Sequence, residues 1–385
     1  MKRVFSPFKL GVRAMGKMAY TPSTTEIYRN PKASQWVCTN AEFLKTKPLI
    51  QKFHESFGTY KPSRLIPLSN DHGVSLYVKE ECLRLSLPSF KILGASWGLF
   101  RCLVERFDLP LETTTMSSLR EYLQGHHSGI TLVAATDGNH GRAVAHMAAL
   151  LNIPSRIFTP RNVLDSECSK ITSEKGAELT KVNGNYDETV AVAAALCNSD
   201  KTEYVLIQDF AFGDYVDVPE WIAHGYTTIC EELPFHPDVI FIPAGAGCLA
   251  QGITLFYRAL QTKTKVFVVE PDTSYTVNKS LHYGHPSSDP GDSNTIMDGL
   301  NCPTVSSIAF PVLQQGVSFS GLVSDVDCIS AMGKLKASGV NSGPCGAVTY
   351  AAFENYAAKL KAMGELKEGD NVVLLSTEAF RAFKK

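Results

Sequence analysis

Short aliphatic runs, most of them followed by a stretch with helical spacing, recur along this 385-residue chain and limit what it can fold into. "VSLYVKEE" (74–81) reads as a strand and "GASWGLFRCLVERF" (94–107) as an amphipathic helix. "ITLVAAT" (130–136) and "GRAVAHMAALLN" (141–152) repeat the pairing, as do "SRIFTP" (155–160) and a helix from about 165 to 175 that ends at Gly176. "AELTKV" (177–182) with "YDETVAVAAALCNS" (186–199) is a further unit. "EYVLIQD" (203–209), "VPEWIAHGYTTICEEL" (218–233), "DVIFIPAG" (238–245), "KVFVVEP" (265–271) and "DNVVLLST" (370–377) continue the pattern. Strands of continuous Val, Ile and Leu that alternate with helices predict an α/β protein with parallel sheets covered on both faces. The turn-rich stretch "HYGHPSSDPGDSN" (282–294) predicts one long surface loop.

A chain of this length buries a large core and is expected to form two domains. Its composition is 44% hydrophobic and 19% charged, with a net charge of −1. That balance offers no electrostatic case for a nucleic-acid or anionic-membrane partner. No apolar run approaches the length of a bilayer span, so no transmembrane helix is expected. The ten cysteines are scattered without a C-x-x-C pair, which predicts no zinc site or disulfide framework and fits a reducing compartment such as the cytoplasm. Before Glu26 the chain carries Lys2, Arg3, Lys9, Arg13 and Lys17 and no acid. Two readings of that segment stand, a basic tail and a mitochondrial-type transit peptide.

Three motifs carry chemistry. In "DVIFIPAGAGCLAQG" a strand runs into Gly245, Ala246 and Gly247, and a helix opens at Leu249. Inward-facing amides and a helix N-terminus suit a phosphate, although tight strand-to-helix turns also use glycine for steric reasons alone. The spacing is neither a Walker A loop nor G-x-G-x-x-G, which leaves a monophosphate cradle or a plain turn. In "ATDGNHGRA" (135–143), Thr136, Asp137, Asn139 and His140 crowd one strand-to-helix turn, a place where open α/β sheets bind ligands. In "LPSFKILGAS" (87–96), Lys91 sits between Phe90 and Ile92-Leu93-Gly94-Ala95, where an ammonium gains nothing from packing. Either it is an exposed lysine at a helix start, or it is a buried amine of lowered pKa able to form a Schiff base with a carbonyl. An amine of that kind and a phosphate cradle match the aldehyde and the phosphate of pyridoxal phosphate.

The arrangement resembles pyridoxal-phosphate enzymes of fold-type II, the tryptophan-synthase β-like group, and within them the diaminopropionate ammonia-lyase family. "PSFKILGA", "ATDGNHGRAVA", "NYDETV", "QDFAFGDYVDVPEWIAHGY", "PAGAGCLAQG", "VVEPD", "TIMDGLNC", "SGPCGAV" and "LLSTE" follow the family's order from about residue 60 to 378. The resemblance implies two open parallel-sheet domains, a large cofactor-binding one of residues 1–97 and 207–385 and a small inserted one of 98–206. It implies Lys91 as the Schiff-base lysine, Asn139 on the cofactor's ring oxygen, and Gly245, Ala246, Gly247, Cys248 and Leu249 on its phosphate. Thr377 would face the ring nitrogen, a neutral hydroxyl that favours elimination over transamination. Thr136, Asp137 and His140 would meet the substrate, with Thr136 at its carboxylate. Lys91 and Asp137 would be bases on opposite faces, so that either enantiomer is accepted, and Asp209 an acid near the substrate amine. For Asp209 a helix-cap or loop role is the alternative.

The activity implied is α,β-elimination of a small β-substituted amino acid, first of all 2,3-diaminopropionate, by a homodimer. Three departures stand against it: Pro344-Cys345 where the family has Glu-Ser, "STEAFRAFKK" where it has "STEGDTD", and Phe212 where a tryptophan is expected. Cys345 either fills a small buried space or belongs to the site. These departures leave open dehydration of a hydroxy amino acid or β-replacement; separate alternatives are a cofactor-binding protein without turnover and a protein that binds another phosphate ligand.

Overall fold

The structure is a computed structural model that describes residues 20, 23–126, 129–198, 203–288 and 293–381. The basic residues Lys2, Arg3, Lys9, Arg13 and Lys17, positions 289–292 of the turn-rich loop, and Lys384 and Lys385 lie outside the described residues. The chain begins with β1 (Tyr28–Arg29), α1 (Ala41–Glu55), β2 (Arg64–Leu68), β3 (Ser75–Glu80) and α2 (Lys91–Arg106). Next come α3 (Met116–His126), β4 (Thr131–Ala135), α4 (Asn139–Leu151), β5 (Ser155–Pro160), α5 (Asp165–Thr172), β6 (Ala177–Val182), α6 (Tyr186–Cys197) and β7 (Tyr204–Leu206). The chain continues through α7 (Asp217–Gly225), α8 (Thr228–Glu231), β8 (Val239–Pro243), α9 (Cys248–Ala259), β9 (Lys265–Pro271) and α10 (Thr276–Tyr283). A 3₁₀ turn at Asp298–Leu300, α11 (Ala309–Gly316), β10 (Phe319–Val323), α12 (Asp325–Ala337), α13 (Pro344–Ala362) and β11 (Asn371–Ser376) complete it.

Two sheets organise these elements. The larger has the order β1-β10-β9-β8-β11-β3-β2, and the smaller β6-β5-β4-β7. The smaller is parallel throughout. In the larger, β10, β9, β8, β11 and β3 run parallel, and an antiparallel strand closes each edge. Every residue of β4, β8 and β10 is buried, as expected for strands covered on both faces. The four strands of the smaller sheet all fall within 98–206, while α2 runs through position 98 without a break.

The aliphatic runs locate β5, β6 and β9 to the residue. Elsewhere the structure corrects the boundaries. The helix expected from 94 starts at Lys91, and the one expected from Leu249 starts at Cys248. The single helix expected over 218–233 breaks at Tyr226 and Thr227 into α7 and α8.

Helices α2, α7 and α9 pack backbone to backbone. A Cβ on Gly94 of α2 would stand 2.4 Å from the Tyr226 ring, and one on Gly252 of α9 would stand 2.1 Å from the Ala223 carbonyl oxygen of α7. No side chain fits at either position.

Beside this helical layer lies a dry ionic cluster. Lys79 and Arg84 contact the same Glu232 carboxylate at 2.5 and 2.6 Å, and Arg84 Nε stands 2.9 Å from Glu81. The Tyr60 hydroxyl and the Ser63 amide donate to Glu232 at 2.8 and 3.1 Å. Lys79 and Arg84 also donate to the carbonyls of Ser63 and Lys61. With four donors on one carboxylate, the cluster meets the condition under which buried charges persist.

Candidate active site

The carboxyl ends of strands in both sheets open onto one cleft. Topology places loops from distant parts of the chain there, as in other open α/β sheets. The turn after β4 brings Thr136, Asp137, Asn139 and His140, the chain after β7 brings Asp209, the loop after β8 brings Gly245–Cys248, and the end of β11 brings Thr377. Lys91 enters from the first turn of α2, and Leu249 from the first turn of α9. All the sequence-expected site residues therefore line a single cleft.

Lys91 Nζ donates to Asp209 Oδ2 at 2.5 Å, and the lysine side chain keeps 25% of its surface open to the cleft. Burial alone would lower the lysine pKa, but the Asp209 carboxylate outweighs it and raises the value. The sequence-based expectation of a lowered pKa is thus corrected. It treated the surroundings as apolar, whereas the fold brings in a carboxylate from 118 residues away.

Asp209 is held from several sides. Its Oδ1 accepts from the Tyr186 hydroxyl and from Gln208 Nε2, each at 3.4 Å, and its Oδ2 lies 3.7 Å from His140 Nδ1. Burial works to raise the Asp209 carboxyl, yet the facing His140 and Lys91 hold it well below the usual carboxylate range. The Lys91 ammonium is the charge that persists at neutral pH, because burial lowers the His140 pKa. His140 Nε2–H donates to the Ile207 carbonyl at 2.8 Å, which leaves Nδ1 unprotonated toward Asp209.

Asp137 differs from Asp209. Burial, with Asp298 and Asp209 nearby, pushes its carboxyl up to about 7, against the opposing pull of Arg381 and Lys91. Asp137 is therefore poised to exchange a proton at neutral pH. The loop carrying it is organised by Thr136, whose Oγ1 accepts from the amides of Gly138 and Gly141 at 2.9 and 3.0 Å. Those bonds use the acceptor side of Thr136 and leave its hydroxyl proton to offer a ligand. Asn139 Nδ2 donates to Glu378 Oε2 at 2.8 Å.

The glycine loop forms a cradle. Gly247 adopts φ +96°, which favours glycine, and is the N-cap of α9. A Cβ on Gly245 would meet Cys302 Sγ at 2.8 Å, so both glycines keep the loop open at a helix N-terminus. A lysine amine, an amide-lined helix end and the polar ends of Asn139 and Thr377 on one cleft fit a ring that bears an aldehyde and a phosphate. Among the described residues no group of three or more His, Cys, Asp or Glu could hold a metal ion, and no helix is long and apolar enough to cross a membrane.

Tyr186, Cys302, Glu378 and Arg381 also line the cleft and were not singled out from the sequence. Tyr186 and Glu378 lie inside motifs that mark the resemblance, but Arg381 gives no signal of its own. Cys345 lines the cleft as well, at the second residue of α13 and 4.0 Å from Arg381 Nη2.

Comparison with known proteins agrees with this geometry. Residues 58–378 match the family described as pyridoxal-phosphate dependent enzyme. Diaminopropionate ammonia-lyase of Escherichia coli strain K12 is 28% identical over 298 residues, covering 74% of this chain and 73% of that protein. L-threonine dehydratase of Salmonella typhimurium is 27% identical over 266 residues, covering 68% of this chain and 49% of that protein. A crystal structure of E. coli diaminopropionate ammonia lyase in complex with D-serine superposes with a TM-score of 0.80 at 25% identity, covering 92% of this chain and 93% of that one.

Proposed function

The chain belongs to the pyridoxal-phosphate dependent enzyme family, and from that premise we propose that it is an ammonia-lyase. Its substrate is a small β-substituted amino acid, first of all 2,3-diaminopropionate, which it converts to pyruvate and ammonia. What carries the reading is one juxtaposition: the Lys91–Asp209 pair, the neutral-range carboxyl of Asp137 and the glycine-lined end of α9 face the same cleft. The likeness to diaminopropionate ammonia-lyase supports the choice of substrate.

In this reading Lys91 binds the cofactor's aldehyde carbon and Gly245, Ala246, Gly247, Cys248 and Leu249 its phosphate, while Asn139 and Thr377 meet the ring. The bound cofactor supplies an electron sink that makes the α-hydrogen of an attached amino acid acidic. Thr136, through its hydroxyl proton, and His140 border the substrate. Asp137 as carboxylate takes the α-proton from one enantiomer, and Lys91 serves the other hand. Asp209 would orient Lys91 and could accept its proton, so that the neutral amine is available to bind or to act as base. The β-amine leaves with a proton as ammonia, and hydrolysis of the three-carbon product gives pyruvate and a second ammonia. Residues 98–206, which hold the smaller sheet, form a small inserted domain, and the protein works as a cytoplasmic homodimer.

The test is a visible spectrum of the purified protein followed by separate addition of D- and L-2,3-diaminopropionate, with pyruvate measured and Lys91→Ala as control. The expected outcome is a chromophore and pyruvate in the native protein and neither in the variant. A chromophore without pyruvate would discard the substrate and keep the cofactor. L-serine, followed as pyruvate, and L-threonine, followed as 2-oxobutyrate, test the dehydratase reading supported by the threonine dehydratase likeness.

A further inference from the structure

We propose that Arg381 is a positioning residue of the cleft, which pins the chain after β11 between the two sheets and sets its positive charge beside the turn that carries Asp137. The proposal rests on the reading of Asp137 as a base, and its test is chosen to stand apart from that reading.

The chain is fixed on both sides just before this residue. The Ala379 amide donates to the Pro88 carbonyl at 2.9 Å, and the Phe380 amide to Asn341 Oδ1 at 2.9 Å. Arg381 then folds inward until only 10% of its side chain is exposed. Nε stands 3.4 Å from Glu378 Oε2. Nη1 lies 3.5 Å from where a Cβ on Gly138 would be, and Nη2 lies 3.8 Å from where one on Gly299 would be. The guanidinium thus fills the space between the turn that carries Asp137 and the turn that carries Asp298.

Arg381 borders the reactive cleft and a larger polar chamber beyond it, which is also lined by Asp137, Tyr186 and Asp298. Glu167 of α5, from the smaller-sheet side, lines that chamber and a third hollow with Arg381. Glu378, Asp298 and Glu167 surround the guanidinium with carboxylates from three separate segments, a setting that keeps an arginine charged.

The groups facing Asp137 define what that charge does. Asp298 and Asp209 oppose its ionisation; Arg381 and Lys91 favour it. Tyr186 and Cys302 also face it, and burial keeps both in their neutral forms. Lys91 is paired with Asp209 at 2.5 Å, and in the holoenzyme it would be taken up by the cofactor. Arg381 is then the cation that offsets Asp298, and without it Asp137 would hold its proton to higher pH.

The experiment titrates Asp137 in holoenzyme labelled with ¹³C-aspartate, following the carboxyl band by infrared spectroscopy with Asp137→Asn to assign it. The native protein is compared with Arg381→Gln and Arg381→Lys, and the acid limb of kcat/KM for pyruvate formation is recorded beside it. In Arg381→Gln the band midpoint and the acid limb are expected to rise together by about one pH unit. Arg381→Lys should return both close to the native values. A native midpoint in Arg381→Gln, with cofactor absorbance intact, would overturn the proposal. Arg381→Met, which keeps the apolar stem and removes the charge, substitutes if the glutamine variant does not fold. The infrared midpoint needs no turnover, so it judges Arg381 even if 2,3-diaminopropionate proves not to be the substrate.

Discussion

Two lysines in this protein are drawn against a carboxylate at 2.5 Å, Lys79 to Glu232 and Lys91 to Asp209. Their surroundings differ. Glu232 receives Lys79, Arg84, Tyr60 and the Ser63 amide, and both Lys79 and Glu232 are 1% exposed. Asp209 receives one short bond, two long ones and a distant imidazole, and its lysine opens onto a cleft. The first cluster is complete in the folded chain. The second has partners still to make, and a neighbouring carboxyl, Asp137, sits near neutrality instead of far from it. Burial and a short ion pair therefore do not by themselves mark a functional lysine; unfilled valence beside a cavity does.

Substitutions separate the two clusters. Lys91→Met should abolish turnover, by about a thousandfold or more, and leave the unfolding free energy within about 1 kcal/mol of native, measured by pyruvate assay and urea denaturation. Equal stability losses in Lys91→Met and in Glu232→Gln would break the distinction. Glu232→Gln should do the reverse. It leaves Lys79 without its counter-charge in a dry site, costing about 3–5 kcal/mol in the same denaturation series, with little change in turnover per folded molecule.

The smallest effect concerns Asp137 and the stability of the fold. Its carboxyl binds a proton up to about pH 7 when folded and up to about 3.8 when unfolded, so ionising it in the native protein weakens the fold as pH rises between those values. Asp137→Asn should therefore be more stable than the native protein at pH 8, by on the order of 1 kcal/mol because cleft water tempers the linkage, and equal to it near pH 3. A stability gap that does not change with pH would contradict the raised pKa.

Much of the core was legible because buried parallel strands are written as unbroken aliphatic runs, as in "KVFVVEP" and "SRIFTP". β10, "FSGLV", escaped notice: Ser320 and Gly321 interrupt the run, and the glycine is there because Tyr356 of α13 presses on it, where a Cβ would stand 2.6 Å from the ring. The short antiparallel edges carry no such signature either. At the site, the motifs located Lys91, the Asp137 turn and the glycine loop, since each is local. The partnership of Lys91 with Asp209, and hence the direction of the lysine's pKa, depends on a contact across 118 residues that no spacing reveals. Arg381 was invisible for a related reason. A single arginine in a short tail acquires meaning only when the glycines at 138 and 299 make room for it.

The backbone-to-backbone packing of α2, α7 and α9 has a consequence for how such an enzyme can change. Lys91 begins α2 and the phosphate cradle begins α9, and Gly94 and Gly252 clamp these two helices against the Tyr226 ring and against α7. The spacing between Lys91 and the glycine loop is thereby set by the absence of side chains, and added volume at either glycine would alter that spacing. The opposite wall, made of the Asp137 turn, the 298–302 segment and the residues after β11, is held tight at other glycines, Gly141 against Thr136 and Gly346 against the Thr377 amide, while its side chains face the cleft. Libraries meant to alter which amino acid is accepted should draw on that wall and treat positions 94 and 252 as invariant.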